Sequence, residues 1–494
     1  MLKNVQAVIL AAGKSSRFKT GKTKLVEKIC GQEMILYPTS LLINLKLPVT
    51  LVVGFQRELI EKTVMKQFSD DVTFVHQTDQ LGTGHAIACS QSTWNRDHIL
   101  IMNGDMPLIN KDLIQKLYTK HVHNNASISF VTAHNCDPSA ASYGRVIKAA
   151  DSIEIIEAKE FKEDLSEHCC INAGIYIAKR TFLETNIPKL QQSSVAKEWY
   201  ITDLVKLASD QKLGVETISA PFDCIRGINT FKELWAAEQI KKSEIIQKWM
   251  EQGVRFAIAH NVQIDLNVMI GAGTFIDSGV HLLGTTKIGK NCSVGAFSIL
   301  KNSTISDSAL VHSHSIITNA TLEAFSSVGP FAHIHEKSLI QEKATIGNFV
   351  EIKKSVVGQE TKAKHLAYIG DAKIGRRVNI GAGTITCNYN GTDKFKTTIE
   401  DDVFVGSNAT LIAPLTIKKH AFIAAGSTIT KDVPEDALAI ARERQTNKEN
   451  YARNLRKSKT AGNNTSKDAT DDKESALPFL AAFKVETFEP DHSL

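Results

Sequence analysis

The stretch that decides the fold is residues 322–352, LEAFSSVGPFAHIHEKSLIQEKATIGNFVEI, in which every sixth residue is aliphatic. Residues 399–429 repeat this spacing, and shorter pieces show it at 262–268, 288–300, 305–317 and 374–380. A period of six matches neither a helix face, near about 3.6, nor an amphipathic strand, near about 2. It is typical of a coil of short flat strands that each point one aliphatic side chain into a central column. The spacing therefore predicts a repeat domain and not an ordinary β-sandwich.

This spacing resembles that of the hexapeptide-repeat family, whose chains wind a left-handed parallel β-helix. The handedness is taken from the resemblance, because general topology rules favour right-handed crossovers. Glycine often follows the aliphatic residue, as at Gly289, Gly347 and Gly375, where a tight corner requires it. Such prisms commonly assemble as trimers with ligand sites between subunits, so the resemblance implies a homotrimer.

Length and composition favour a protein of two or three domains and exclude several classes. The 494 residues are 43% hydrophobic and 22% charged. A formal charge of +5 is too small to predict nucleic acid as a partner. No apolar run reaches the roughly 20 residues of a membrane span, and the first residues lack a signal peptide's apolar segment. We therefore expect a cytoplasmic protein whose eight cysteines are reduced thiols.

The first part of the chain alternates apolar strands with helical patterns, which predicts an α/β domain with a largely parallel, Rossmann-like sheet. The clearest strand candidates are Val5–Ala11, Val49–Val53, Ile99–Met102, Ala126–Thr132 and Ile171–Ile177. Thr230 and Glu233 then form a capping box that opens a helix. We predict four segments: an α/β domain at 1–229, a linker helix at 230–252, a β-helix at 253–440 and a polar, partly disordered tail at 441–494.

A glycine-containing loop, LAAGKSSR at residues 10–17, ends the first strand. Such a loop exposes backbone N–H groups at the carboxyl edge of the sheet, where they suit phosphate oxygens. Arg17 and Lys24 add positive charge for a triphosphate. Residues 21–23, GKT, look like the end of a P-loop, but position 16 is serine where that motif needs glycine. The P-loop interpretation therefore fails.

Two further motifs support a nucleotide site. Residues 77–86, QTDQLGTGHA, form a second glycine-rich turn with amides and hydroxyls suited to a base. Residues 99–105, ILIMNGD, are a buried strand that ends in an acid, Asp105. An aspartate at a strand end is more often a helix cap. Because Asp105 occurs together with the other two motifs, we interpret it as a ligand to Mg²⁺.

These three motifs resemble those of the sugar-1-phosphate nucleotidyltransferases. With the repeat, residues 1 to about 450 resemble the bacterial enzymes that join an N-acetylglucosamine-1-phosphate uridylyltransferase to a glucosamine-1-phosphate acetyltransferase. The resemblance implies UTP, sugar-1-phosphates and acetyl-CoA as substrates, and Mg²⁺ held by Asp105 and Asn229. Arg17 and Lys24 are then the catalytic residues, which neutralise the negative charge of the phosphates. The residues implied to bind uridine, phosphate and sugar are Leu10, Ala11, Ala12, Gly13, Lys24, Gln77, Gly82, Thr83, Asn103, Gly104, Asp105, Gly144, Glu157, Asn172 and Asn229.

A second set of reactive residues lies between the two long runs of the repeat. Residues 364–371, KHLAYIGD, place His365 beside Tyr368 in a predicted interruption of the aliphatic ladder. An irregular polar insertion follows at 386–398. Irregular elements on a regular scaffold are where function concentrates, and a neutral histidine is a suitable base for an attacking amine.

The same resemblance assigns roles on the β-helix. It makes His365 the general base for the 2-amino group that attacks acetyl-CoA, with Asn388 beside the reacting groups. The residues implied to hold the sugar phosphate are His335, Lys353, Tyr368 and Asn379. Those implied for acetyl-CoA are Ala382, Asn388, Tyr389, Ser407, Ala425 and Arg442. Asn388, Tyr389 and the tail are implied to serve a neighbouring subunit's site.

One position departs from the family pattern. The family shows Arg-x-Arg after Gly-Pro-Phe-Ala, whereas this chain has His333-Ile334-His335. The second arginine is expected to grip the sugar phosphate, and histidine lacks the bidentate fork and carries less charge near neutral pH. We therefore expect weaker glucosamine-1-phosphate binding that improves as the pH falls.

Three functions remain open from the sequence. The leading one is a bifunctional enzyme that makes UDP-N-acetylglucosamine, a cell-envelope precursor. An alternative is a monofunctional sugar-1-phosphate nucleotidyltransferase with a non-catalytic β-helix assembly domain, as in ADP-glucose pyrophosphorylases; His365, Asn388 and Arg442 argue against it. A non-catalytic interaction protein, as in the exchange-factor subunits of eukaryotic translation initiation, has similar domains. The acid and amide at Asp105 and Asn229 argue against that function.

Overall fold

The computed structural model describes residues 2–137, 140–149, 152–161 and 168–461, with side chains as far as residue 456. Residues up to Ala441 form one compact unit, and a second unit begins at Arg442. Of the helices described, none combines the length and the apolar character that crossing a lipid bilayer requires.

The α/β domain is built around one mostly parallel sheet. The strands of the domain are β1 Val5–Ala11, β2 Lys28–Ile29, β3 Gln32–Glu33, β4 Val49–Val53, β5 Val72–His76, β6 His98–Asn103, β7 Ile128–His134, β8 Arg145–Lys148, β9 Ile153–Ile156, β10 Cys170–Lys179 and β11 Val215–Ser219. Of these, β2 and β3 form a separate antiparallel pair, and the others form the sheet. Its helices are α1 Leu36–Asn44, α2 Arg57–Phe68, α3 Thr83–Cys89, α4 Lys111–His123, α5 Arg180–Asn186 and α6 Asp203–Asp210. The sheet order is β11-β7-β10-β6-β1-β4-β5, with the β8–β9 hairpin attached to β10. Only β10 runs antiparallel to its neighbours along that order.

Strand β1 lies inside this sheet, between β6 and β4, and both of its faces are buried. Its residues alternate between two hydrophobic cores: Ile9 belongs to one core and Val8 to the other. Leu10 pairs with Asn103 of β6 and Ala11 with Val53 of β4. The loops that follow β1 and β6 therefore leave the sheet side by side at its carboxyl edge.

The predicted strands agree closely with those observed. Val5–Ala11 and Val49–Val53 are β1 and β4, and the other three candidates lie within two residues of the bounds of β6, β7 and β10. Long apolar runs in a sheet buried on both faces leave little ambiguity about the strands.

The expectation that all cysteines are reduced is wrong for one pair. Cys136 and Cys169, 33 residues apart in sequence, form a disulfide. They flank the pairing of β7 with β10, in which Cys170 lies opposite His134. Only this antiparallel pairing brings the two cysteines together, so their sequence spacing carries no signal.

The second domain is a parallel β-helix. Its strands are β12 Arg255–Phe256, β13 Gln263–Ile264, β14 Met269–Ile270, β15 Phe275–Ile276, β16 His281–Leu283, β17 Lys287–Ile288, β18 Ser293–Val294, β19 Ile299–Lys301, β20 Thr304–Ile305, β21 Leu310–Val311, β22 Ile316–Thr318, β23 Thr321–Leu322, β24 Ser327–Val328, β25 His333–Ile334, β26 Leu339–Ile340, β27 Thr345–Asn348, β28 Glu351–Lys353, β29 Val356–Val357, β30 Lys362–His365, β31 Tyr368–Gly370, β32 Ala372–Ile374, β33 Asn379–Ile380, β34 Ile385–Cys387, β35 Thr397–Ile399, β36 Phe404–Val405, β37 Thr410–Ile412, β38 Leu415–Ile417, β39 Phe422–Ile423, β40 Thr428–Ile429 and β41 Leu438–Ala439. As far as β40, successive strands join three sheets in turn, and β41 completes the first sheet.

A buried aliphatic residue from almost every strand builds the predicted central column. Ile334, for example, pairs with Ile317 in the coil before it and with Ile352 in the coil after it, and all three are fully buried. A second buried position lies two residues earlier in each strand segment and holds small residues such as Ala332 and Ala344. The pieces at Val262 and Val268 belong to this second position, since Ile264 and Ile270 fill the column there.

The predicted interruption of the ladder before Tyr368 is wrong. Ala363 fills the column there, paired with Ile346 and Ile380, and Ile369 follows it. The pattern was hidden because Ala363 is small and because the steps from Ile352 to Val357 and from Ile369 to Ile374 are five residues long. His365 therefore lies on a regular coil.

Helix α7, Phe231–Glu251, joins the two domains. Its buried residues Ile245 and Trp249 belong to one hydrophobic core with Ile29 of the α/β domain and Ile264 of the β-helix. A backbone hydrogen bond of 2.8 Å from Leu266 N to Cys30 O links the same regions. The described part of the tail contains helix α8, Tyr451–Ala461. The rest of the tail, at 462–494, lies outside the described residues, so the predicted partial disorder of the tail is not tested there.

Two neighbouring isoleucines of β22 test the central column. Ile317 is fully buried, whereas Ile316 is 37% exposed. We expect Ile317→Ala to lower the free energy of unfolding by about 2–5 kcal/mol, because it removes apolar contacts and leaves a cavity. Ile316→Ala, the matched control, should cost less than about 1 kcal/mol. Urea titration followed by circular dichroism measures both, and equal losses would contradict the assigned column.

Candidate active sites

A cleft of about 540 Å³ opens at the carboxyl edge of β1 and β6. Most of the predicted nucleotide-site residues line it: Leu10, Ala11, Ala12, Gly13, Arg17, Lys24, Gln77, Gly82, Thr83, Asn103, Asp105 and Asn229. Gly104 is buried beside the cleft, and its N–H donates to Leu10 O at 2.9 Å. Glu198 also lines the cleft and was missed from the sequence, where no motif surrounds it.

The charged centre of the cleft lies where the end of β6 meets the residues before α7. Lys24 Nζ forms an ion pair with Asp105 and donates to Asn229 Oδ1 at 2.6 Å. Arg17 Nη2 donates to the same Asn229 oxygen at 2.8 Å. Ile228 N donates to Asp105 O at 3.1 Å, so the two segments also meet through the backbone. Four residues predicted from distant motifs therefore converge.

The oxygen atoms of this centre fit a hard divalent cation. Asp105 Oδ1 is buried, and none of the described groups donates a hydrogen bond to it. Asp105 Oδ2 and Asn229 Oδ1 both face one positive charge, the Lys24 ammonium. A carboxylate and an amide oxygen that converge in an open cleft are ligands that such cations prefer.

The cap of α7 fixes the position of Asn229. Glu233 Oε2 accepts hydrogen bonds from Asn229 N at 2.7 Å and from Thr230 Oγ1 at 3.1 Å. Thr230 Oγ1 in turn accepts from Glu233 N at 3.2 Å, as the predicted capping box requires. The start of the helix and the charged centre are therefore one hydrogen-bonded structure.

The second glycine-rich turn is held by a segment that the sequence did not indicate. Gly82 has φ +102°, and a Cβ there would lie 2.5 Å from Trp199 O, so glycine is required. Ile201 N donates to Thr83 Oγ1 at 3.0 Å, and Gln77 Nε2 donates to Gly82 O at 3.1 Å. Residues 199–201 have no motif of their own, and only the tertiary fold shows this role.

The three residues predicted for the sugar lie together. Asn172 N donates to Gly144 O at 2.9 Å, and a Cβ on Gly144 would lie 3.8 Å from Glu157 Cα. Thr202 Oγ1 donates to Glu157 Oε1 at 2.9 Å. Burial raises the pKa of the Glu157 carboxyl, against the effect of this hydrogen bond.

On the β-helix, the candidate base His365 ends β30. Its Nδ1 lies 3.0 Å from Oδ1 of Asn348, the residue opposite it on β27. Because that oxygen is an acceptor, Nδ1 carries the proton and Nε2 keeps its lone pair. His365 is exposed, so a substrate can approach Nε2. Asn348 was missed because only the coil-to-coil register places it there.

The residues predicted for the sugar phosphate are divided between two sheets of the β-helix, and Asn379 is the one on a strand paired with that of His365. Lys353 and Tyr368 belong to β28 and β31, which pair, and Asn379 begins β33, which pairs with β30. His335 Nε2 lies 2.9 Å from Glu351 Oε1. The His335 ring stacks on the His333 ring with centroids 3.7 Å apart. Burial and the neighbouring His335 lower the pKa of His333.

The residues predicted near acetyl-CoA do not all approach His365 within this chain. Asn388 Nδ2 donates to the Asp371 carboxylate, and Tyr389 is 59% exposed and donates to its own loop at Gly391 O. In the described part of the chain, no hydrogen bond joins Asn388 or Tyr389 to His365. Ala382, Ser407 and Ala425 lie at corners of later coils. Arg442 begins the second unit and is exposed.

Comparisons with known proteins agree with both halves of this arrangement. Residues 7–165 match the MobA-like NTP transferase domain. Residues 267–302 match the bacterial transferase hexapeptide (six repeats), and residues 396–431 match the hexapeptide repeat of succinyl-transferase.

Curated relatives match over nearly the whole chain. The bifunctional protein GlmU of Exiguobacterium sibiricum is 37% identical over 454 residues, which cover 90% of this chain and 99% of the relative. Those of Thermodesulfovibrio yellowstonii and Clostridioides difficile are 39% and 36% identical, over 92% and 91% of this chain and 100% and 97% of the relatives.

The fold and the two sites define a two-domain transferase, in which a nucleotidyltransferase precedes a hexapeptide-repeat transferase. The chain belongs to the GlmU family of bifunctional proteins. The predictions of a Rossmann-like domain, a left-handed β-helix and a bifunctional transferase are confirmed.

The helix cap gives a test of how Asn229 is held. We expect Glu233→Ala to cost about 1 kcal/mol of stability, because it removes the acceptor of two hydrogen bonds at the start of α7. Hydrogen exchange at the Asn229 amide should quicken. Glu244→Ala, on the same helix but paired with Lys241, is the control and should leave that amide unchanged. An Asn229 amide that exchanges equally fast in the Glu233 variant and the wild type would refute the cap.

Proposed function

We propose that the chain acetylates glucosamine-1-phosphate with acetyl-CoA on the β-helix. It then transfers UMP from UTP to the product in the α/β cleft, giving UDP-N-acetylglucosamine and pyrophosphate. The observation that carries this proposal is that Asp105 and Asn229 converge in a cleft of the α/β domain while His365 is held by Asn348 on the β-helix. Each half of the reaction then has its own chemistry on one polypeptide.

In the α/β cleft, the chain's task is to place charges around a triphosphate. A phosphate oxygen of the sugar attacks the α-phosphorus of UTP, the new O–P bond forms in line, and pyrophosphate leaves. Arg17 and Lys24 neutralise phosphate charge, so no nucleophilic side chain is needed. We assign Asp105 and Asn229 to Mg²⁺, which when bound screens the phosphates and favours departure of pyrophosphate.

The sugar and the base are held on either side of that centre. We assign Gln77, Gly82 and Thr83 to the uridine, since the turn that carries them is fixed by residues 199–201. We assign Gly144, Glu157 and Asn172 to the sugar, where a carboxylate and an amide suit hydroxyl and acetamido groups.

On the β-helix, His365 Nε2 takes a proton from the 2-amino group of glucosamine-1-phosphate. The sugar's amino nitrogen attacks the thioester carbonyl and forms the C–N bond, the C–S bond breaks, and coenzyme A leaves as its thiol with the proton that Nε2 had taken. We assign the Ala382 N–H to the developing oxyanion. Lys353, Tyr368 and Asn379 bind the sugar phosphate.

We further propose a homotrimer in the cytoplasm. Tyr389 is exposed, so it can meet a neighbouring copy, whereas Asn388 beside it is mostly buried and donates to Asp371 of its own chain. Ser407, Ala425 and Arg442 are exposed as well, and we assign them to acetyl-CoA.

Two variants, one for each domain, separate the two activities. We expect Asp105→Asn to reduce pyrophosphate release by at least about 100-fold while acetyl transfer continues, because only the cleft loses its charge. His365→Asn should do the reverse, with a loss of about 100-fold or more for removal of a general base. Acetyl transfer is measured with glucosamine-1-phosphate and acetyl-CoA, and pyrophosphate release is measured separately with UTP, Mg²⁺ and added N-acetylglucosamine-1-phosphate, so that the second step does not depend on the first. Full acetyl transfer by His365→Asn would contradict the assigned base. Loss of both activities in either variant would contradict separate sites.

His335 gives a test of sugar-phosphate recognition. We expect His335→Arg to lower the KM for glucosamine-1-phosphate by about tenfold, because a guanidinium donates two charge-assisted hydrogen bonds to a phosphate. The wild type, whose imidazole lacks that fork, should keep the higher KM at the same pH. His312→Arg, at another exposed histidine of the β-helix, is the matched control and should leave the KM unchanged. A KM that His335→Arg leaves unchanged would refute the role of position 335.

A further inference from the structure

Three metal-binding side chains meet at one edge of the α/β sheet, outside the residues assigned to the cleft. His134 ends β7, Cys136 follows two residues later, and Cys169 comes directly before β10. One donor atom from each lies within 4.8 Å of the others. His134 Nε2 is 3.8 Å from Cys136 Sγ. His134 and Cys136 are exposed and Cys169 is half-buried, so an ion in solution can reach all three.

The backbone holds these three residues together independently of any bond between the sulfurs. Cys170 pairs with His134 in the antiparallel ladder of β7 and β10. One residue further out, Asn135 N donates to Cys169 O at 2.8 Å. The ladder thus fixes the Cα positions of the donors next to the two ends of the segment 137–168, which carries Gly144 and Glu157.

The two sulfurs are bonded in the structure, so metal binding requires reduction first. A dithiol reductant gives two electrons and two protons to the Cys136–Cys169 bond and becomes a disulfide itself. Each resulting thiol loses its proton when it binds a metal as a thiolate. Zinc–sulfur bonds of about 2.3 Å in a tetrahedron place two thiolates about 3.8 Å apart. That separation is within the 4.8 Å spread of the donors.

We propose that the reduced chain binds one thiophilic divalent cation of the Zn²⁺ class. Its ligands are the Cys136 and Cys169 thiolates and the His134 imidazole, with a water molecule completing the tetrahedron. Mg²⁺ does not compete, because it demands oxygen ligands. In a reducing compartment, cysteines in this arrangement are more often metal ligands than disulfide partners. The cation then links the two ends of the segment 137–168 in place of the disulfide.

Cobalt serves as the probe, because thiolate-bound Co²⁺ has a charge-transfer band in the near ultraviolet. The untagged full chain is reduced with dithiothreitol, desalted without oxygen and titrated with Co²⁺ in excess Mg²⁺, which occupies oxygen-rich sites. We expect a band that saturates at one Co²⁺ per chain and disappears when Zn²⁺ is added. The oxidised wild type, in which the sulfurs are bonded, should show none. A reduced wild type without the band would overturn the proposal.

Variants identify the ligands. Replacing both cysteines, Cys136→Ser with Cys169→Ser, should abolish the band, and His134→Ala should weaken Co²⁺ binding by about tenfold or more. Cys224→Ser removes a free cysteine outside the group and is the matched control. It should bind Co²⁺ as the wild type does. A band that persists in the double variant, or an unchanged affinity in His134→Ala, would refute the assigned ligands. The comparison of oxidised with reduced wild type needs no variant and holds if a substitution prevents folding.

Discussion

The packing of helix α7 is the interaction on which the rest of the structure depends. Its apolar face, with Ile245 and Trp249, continues the core of the α/β domain into the first coils of the β-helix. Its first turn holds Asn229 through Glu233, next to Lys24 and Asp105. One helix therefore starts the scaffold of the second site and completes the charged centre of the first.

Apart from α7, strand pairing brings the residues of each site together, and the kind of pairing differs between the two domains. In the α/β domain, parallel strands end at one edge, so the loops after β1 and β6 meet although about ninety residues separate them. In the β-helix, coil stacks on coil, so Asn348 lies beside His365 and orients its ring. The first register gathers the charged side chains of the cleft, and the second places His365 on an exposed surface of a regular coil. The chemistry of each half follows from the register that carries it.

Much of this was predictable from the sequence, because local patterns encode it. Apolar runs predicted β1 and β4 to the residue, and the six-residue period predicted the column. The place of Ala363 in the column was hidden, because alanine is small and two nearby steps are five residues long instead of six. The coils still stack without a gap there. Asn348 and the Cys136–Cys169 pair could not be predicted, since only strand pairing brings them to their partners. Sequence patterns describe each element, whereas contacts between elements need the fold.

The most direct test of the central claim is the affinity for a metal–nucleotide complex, because the account requires two distant segments to share one cation. Mn²⁺, detected by electron paramagnetic resonance, should bind one per chain in the presence of a UTP analogue that cannot be cleaved. The account predicts that Asn229→Ala weakens this binding by at least about tenfold, or about 1.4 kcal/mol. An affinity in the variant within twofold of the wild type would contradict it.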